Sequence, residues 1–168
     1  MRKHILSFIL VVLLLSLCGC TDDFIPKMPS KSSTFSILFM DVGQGDAALV
    51  ECDGRYMLID GGDVAAGDKV YEVLEQKGIQ HLDILAISHL HADHIGGLVE
   101  ALTYASIIDK TISNTDKGDK ETFRKLEHEL GINGAAITVP RVGEKYNLGS
   151  ATIEVVDVAS ENNNGSLV

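Results

Sequence analysis

Asp83-Ile84-Leu85-Ala86-Ile87-Ser88 runs directly into His89-Leu90-His91-Ala92-Asp93-His94-Ile95-Gly96-Gly97. The first half is a short apolar run of the kind that lies in the middle of a sheet, covered on both faces. The second half places four metal-ligating side chains, His89, His91, Asp93 and His94, at the C-terminal end of that strand. Alternate residues of an extended backbone face the same way, so His89 and His91 are spaced to grip one ion. Asp93 and His94 fall where the chain turns into the next helix, within reach of a second ion beside the first. Imidazole together with carboxylate suits zinc, with manganese or iron as alternatives. Two such ions about 3.5 to 4 Å apart activate a water at neutral pH and clamp both oxygens of a displacement. An isolated histidine in a polar loop would say little, whereas HxHxDH directly after a buried strand is a narrow pattern that points to hydrolysis.

Upstream, residues 34–40 and 47–52 read as strands, and the Asp53-Gly54 hairpin signal leads into a third over 56–60. Val70, Val73 and Leu74 have helical spacing and predict a helix over 68–77, stopped by Gly78. Downstream, Gly96 and Gly97 open a short helix over 98–104, and 107–112 predicts a strand. Residues 121–130 predict a helix with Phe123, Leu126 and Leu130 on one face, stopped by Gly131. Residues 136–139 and 152–158 are the last expected strands, with 143–148 as their connection. The order β-β-β-α-β-α-β-α-β-β predicts an α/β (α+β) architecture, a mixed sheet with helices packed on one face. The other face needs cover as well. With no later element to supply it, an open apolar face is expected, notably along 152–158.

The first residues read as an export signal. Arg2 and Lys3 precede an apolar run of about 13 residues, shorter than the roughly 20 of a spanning helix. Leu17-Cys18-Gly19-Cys20 resembles a bacterial lipobox, with Cys20, preceded by the small Gly19, as the acylated residue of the mature chain; an ordinary cleaved signal is the alternative. Residues 1–19 are thus expected to be the signal, 20–33 a polar tether with Pro26 and Pro29, and 34–168 the catalytic-type domain. Removing Arg2 and Lys3 takes the net charge from −10 to about −12 and leaves Cys52 as the one free thiol if Cys20 is acylated. So acidic a domain is a poor general binder of nucleic acid, which is held chiefly by Lys and Arg, although metal ions would offset the charge locally.

Asp41-Val42-Gly43-Gln44-Gly45-Asp46-Ala47, then Leu58-Ile59-Asp60-Gly61-Gly62, then residues 88–97, then Asn162-Asn163-Asn164-Gly165-Ser166-Leu167-Val168 resemble the successive motifs of a metallo-β-lactamase superfamily branch, the C-terminal hydrolase domain of ComEC/Rec2 competence proteins. The resemblance implies an αββα sandwich, of which this sequence carries the first αβ half. It implies two divalent metal ions, most readily zinc with manganese possible, His89 and His91 binding one and Asp93 and His94 the other. Asp93 doubles as the catalytic proton handler in single-metal members. Asp60 is implied to stand close to the metals, where a carboxylate orients a ligand histidine by accepting its free N–H; a turn-forming Asp before Gly-Gly is the plainer reading. Asp41, Gly43, Gln44, Gly45 and Asp46 are implied to form an active-site rim, and a plain hairpin connection would explain the same glycines.

The family's later ligands, an Asp ending a strand and a His in a His-His-Gly-like segment, have no counterpart here. His81 and His128 read as solvated side chains. A site of four groups where two ions need about six is expected to be incomplete, leaving the chain poorly stable and nearly inactive without the missing second half. The function implied is an exported, lipid-anchored metallohydrolase on the outer face of the cytoplasmic membrane, acting on a phosphodiester or DNA-type substrate. The alternatives are an inactive, truncated metal-binding surface lipoprotein, or a metallohydrolase of β-lactams, thioesters or lactones.

Overall fold

Residues 33–158 and Leu167 are described by the structure, a computed structural model. The expected signal, Cys20, the tether except Ser33, and the Asn162 to Val168 motif except Leu167 lie outside the described residues. In chain order the elements are β1 (Phe35–Phe39), β2 (Ala48–Cys52), β3 (Arg55–Ile59), a 3-10 turn (Val64–Ala66), α1 (Gly67–Lys77), β4 (His81–Leu82) and β5 (Ile84–Ile87). These are followed by α2 (Ala92–Ile95), α3 (Leu98–Tyr104), β6 (Ile107–Ile108), β7 (Thr111–Ser113), α4 (Glu121–Ile132), β8 (Ile137–Thr138), β9 (Lys145–Leu148) and β10 (Ala151–Glu154).

Six strands form one mixed sheet in the order β1-β2-β3-β5-β7-β8. The first three are antiparallel neighbours, and Asp53 and Gly54, at φ of 53° and 78°, make the tight β2–β3 turn that the Asp-Gly pair predicts. From β3 onward the neighbours are parallel, and each return to a parallel strand passes through helix: α1 before β5, α2 and α3 before β7, α4 before β8. The C-terminal ends of β3, β5 and β7 therefore share one edge. Strand alternation sends Leu49, Leu58, Leu85 and Ile87 to the helical face, where they meet Val70 and Leu74 of α1, Leu98 and Leu102 of α3, and Phe123, Leu126 and Leu130 of α4. Burying a leucine side chain of this kind contributes about 1.5 to 3 kcal/mol, so this face anchors the edge that bears the site.

Four expectations are corrected. Residues 107–112 are not one strand, because β6 pairs with β4 whereas β7 pairs with β5. The supposed connection 143–148 contains β9, which forms a hairpin with β10. Helix α4 runs through Gly131 to Ile132 and is capped at Asn133. The second face of the sheet is also not bare, since Val50, Cys52, Met57, Ile84 and Ile112 pack there with Leu148, and with Tyr146 and Ile153 of the hairpin at their margin. Within 152–158 Val155 is 3% exposed whereas Val156 is 60% exposed, and further open apolar surface lies on the edge strand β1. Phe35, Ile37 and Phe39 sit opposite Cys52, Val50 and Ala48 on that second face and are 60%, 46% and 79% exposed.

Candidate metal centre

Strand β5 ends at Ile87, and Ser88 to His94 follow over the edge where β3 also ends. Asp60, one residue beyond β3, takes a left-handed φ of 53°, and its buried carboxylate is turned onto the motif. Its Oδ1 accepts the Ser88 backbone N–H at 2.8 Å. Its Oδ2 accepts the Ser88 hydroxyl at 2.5 Å and lies 2.8 Å from His94 Nδ1. The expected contact between Asp60 and a motif histidine is therefore present. Ser88, which the sequence reading assigned no part, is the second member of this network. Its hydroxyl proton goes to Asp60, so its oxygen accepts from His89 Nδ1 at 3.0 Å. With Nδ1 of both His89 and His94 engaged, the tautomer that leaves Nε2 as a free lone pair is favoured in each ring.

The three imidazoles are gathered. His89 stands with its ring centroid 4.0 Å from that of His94 and 4.6 Å from that of His91. Asp93, in the first turn of α2, is met by the loop of residues 41–46, where Gln44 Nε2 donates to its Oδ2 at 3.3 Å. Backbone bonds from Gly61 N–H to the His94 carbonyl at 2.7 Å and from Gly97 N–H to the Gly62 carbonyl at 3.1 Å hold the Asp60-Gly61-Gly62 turn against the motif. The approach is close enough that a Cβ on Gly97 would lie 2.1 Å from the Gly61 carbonyl oxygen. On the other side, the Leu167 N–H donates to the Ser88 carbonyl at 2.8 Å.

Burial first, and then the neighbouring His94 and His91, hold His89 below its usual pKa of 6.5. A ring whose folded pKa is depressed refuses a proton that the unfolded chain accepts, so its contribution to stability is complete above about 6.5 and declines as pH falls below it. Thermal melts of the metal-free protein between about pH 7.5 and 5.5 should show a falling midpoint, and His89→Ala should flatten the fall. A midpoint that rises on acidification would contradict the packing of the three rings.

The remaining histidines stand apart from this cluster. His128 is exposed on α4, in a surface depression it shares with Arg124, Glu127 and Ile132. His81 is half-buried rather than freely solvated, with Nε2 2.9 Å from Asp109 Oδ1. Among the described residues it is His81, Asp83 and Asp109 whose ligand atoms come within 4.8 Å of one another. They lie at the opposite, N-terminal end of β5, and both Asp83 oxygens are already engaged, by the Arg55 guanidinium and the Tyr56 N–H, each at 2.8 Å. The Arg55–Asp83 ion pair and the Tyr56 N–H already occupy the central carboxylate of that group.

Comparison with known proteins agrees with this geometry. The sequence model of the Metallo-beta-lactamase superfamily matches residues 40–124, which contain the rim loop, Asp60 and the whole motif. The competence protein ComA of Neisseria gonorrhoeae is 38% identical over 63 residues, 37% of this chain and 9% of that protein. Ribonuclease Z of Clostridium tetani is 32% identical over 112 residues, 64% of this chain and 32% of that protein. A subclass B3 metallo-beta-lactamase from a soil metagenome library, MEM-A1, superposes with a TM-score of 0.57 at 18% identity, a likeness of fold, over 78% of this chain and 53% of that one. The chain thus spans about half of that solved structure and a third or less of the two curated relatives. A family match over half of the sequence, centred on the His89 to His94 motif, shows that the chain belongs to the metallo-beta-lactamase superfamily.

Proposed function

We propose that this chain carries the metal-binding half of a divalent-metal hydrolase acting on phosphodiesters of the nucleic-acid type. The observation that carries the reading is the cluster of three imidazoles beside Asp93, two of whose rings have Nδ1 held by the Asp60–Ser88 network. The donor set fits zinc or manganese: three imidazoles, two of them with Nδ1 engaged by the Asp60–Ser88 network, one carboxylate, and a buried acid behind them. His89 and His91 would hold one ion, Asp93 and His94 a second. Ions bound there supply an activated water and neutralise charge on the scissile group. Asp60 would keep His94 oriented, and Asp93 would take a proton at the metal edge, a role supported by the resemblance of the motif. The substrate class is supported by relatives named as a competence protein and a ribonuclease, whereas the β-lactamase neighbours support the fold alone. Lipid anchoring through Cys20 on the outer face of the cytoplasmic membrane completes the proposal, resting on the lipobox-like tetrad.

The test is hydrolysis of bis-p-nitrophenyl phosphate with added zinc or manganese, by residues 20–168 alone and joined to the second half of a relative. Because four ligands serve where about six are needed, the joined form should be faster by at least tenfold. A joined form that opens β-lactams and leaves phosphodiesters intact would replace this reading with the lactamase one. Release of the full-length protein from membranes by Cys20→Ala tests the anchor, and unchanged membrane association would remove it.

A further inference from the structure

Gln44 lies at the tip of the rim loop between two glycines in the left-handed region, Gly43 at φ 76° and Gly45 at φ 87°. The base of this loop is fixed on three sides. The Met40 N–H donates to the Ala47 carbonyl at 2.9 Å, Lys69 Nζ to the Asp41 carbonyl at 2.8 Å, and the Gly62 N–H to the Asp46 carbonyl at 2.9 Å. From that base the loop meets one residue of the motif twice. Gly45 lies so close to the Asp93 carbonyl oxygen that a Cβ would stand 1.6 Å from it, and the Gln44 amide donates to Asp93 Oδ2. That bond takes one of the roughly four lone-pair sites of the carboxylate and ties its orientation to the loop, while Oδ1 carries no side-chain bond from Gln44.

We infer that Gln44 is a positioning residue for Asp93, its amide holding the carboxylate in the orientation in which it meets the metal edge. The inference rests on the metal-centre reading above and assigns to the rim loop a specific task within it. The loop, crossing 49 residues of sequence to reach Asp93, sets the orientation of a ligand. Groups in the shell behind a metal ligand characteristically alter metal affinity by about ten- to a hundredfold, which is the scale of effect expected.

A double-mutant cycle separates this role from a merely structural one, with zinc and cobalt titrated into purified chain. Gln44→Met keeps the volume and removes the donor, and should weaken the less tightly held ion roughly tenfold while leaving the thermal midpoint in place. In an Asp93→Asn background the same change should add nothing. Equal weakening in both backgrounds, or none in the parent, overturns the inference. The His89→Ala/His91→Ala chain, titrated alongside, tells the two readings apart. If it loses metal while Gln44→Met loses none, only the positioning role fails. If it binds as the parent does, or the parent takes up no ion, the metal-centre reading fails and the inference with it.

Discussion

Gly45→Ala is expected to lower the thermal midpoint by roughly 10 °C or more, whereas Gly43→Ala, two residues away in the same loop, should cost only a few degrees. Both glycines have positive φ, so both substitutions incur the left-handed penalty of about 1 to 2 kcal/mol. They differ in what a Cβ would meet. At Gly43 nothing lies within 4 Å, while at Gly45 the new atom would stand 1.6 Å from the Asp93 carbonyl oxygen and 2.7 Å from its carbon. A backbone atom cannot swing aside as a flexible side chain can, so either the rim loop lifts off or α2 is displaced. Since α2 carries Asp93 and His94, metal affinity should fall together with stability. Paired melts of the two variants by circular dichroism decide the matter, since at roughly 3 °C per kcal/mol for a domain of this size the difference is easily resolved. Equal midpoints for Gly43→Ala and Gly45→Ala would mean that the rim loop is not seated on Asp93.

The comparison of those two glycines also shows what the sequence alone conveys. Gly-Gln-Gly announces a backbone that turns sharply or approaches something closely, but not what it approaches, because Asp93 is distant along the chain and the contact belongs to the tertiary fold. Strand β5 and the motif behind it were legible because an unbroken apolar run and a dense run of ligands are both local signals. The Asp60–His94 contact was legible only through resemblance. Ser88 was missed because a hydroxyl before His89 is unremarkable until Asp60 is placed behind it. Strands β4 and β6, two residues each, are too short to show a period, and the polar pair Asp109-Lys110 between β6 and β7 resembles the rest of a strand. In β9 the alternation of Tyr146 and Leu148 with Lys145 and Asn147 is visible, yet glycines at 143 and 149 gave it the look of a connection. Its strand character follows from the apolar second face of the sheet, where Leu148 is 1% exposed.

Replacing His89 and His91 together by Ala should remove the ion those two rings hold, its affinity falling roughly a hundredfold or more, while His128→Ala and His81→Ala should leave metal binding unchanged. The presence of a histidine does not by itself make a ligand; what stands behind each ring decides it. Behind His89 are Ser88 and the buried Asp60, which fix a tautomer and present a free nitrogen. Removing His89 and His91 takes away both protein groups assigned to the first ion, so any zinc the variant still takes up is the second ion, held by Asp93 and His94. His81 faces Asp109, and its acidic neighbour Asp83 is committed to Arg55 and to the Tyr56 N–H, so a cation there would have to displace a guanidinium. His128 is exposed on α4, with Glu127 and Arg124 beside it and, among the described residues, no partner that would orient its ring for a metal. Metal content after dialysis, measured by atomic emission on all three variants, gives the answer. If His81→Ala strips the zinc and the double variant keeps it, the ion belongs to the ion-pair cluster at the opposite end of β5, and the assignment of the edge at Ser88 as the metal centre is wrong.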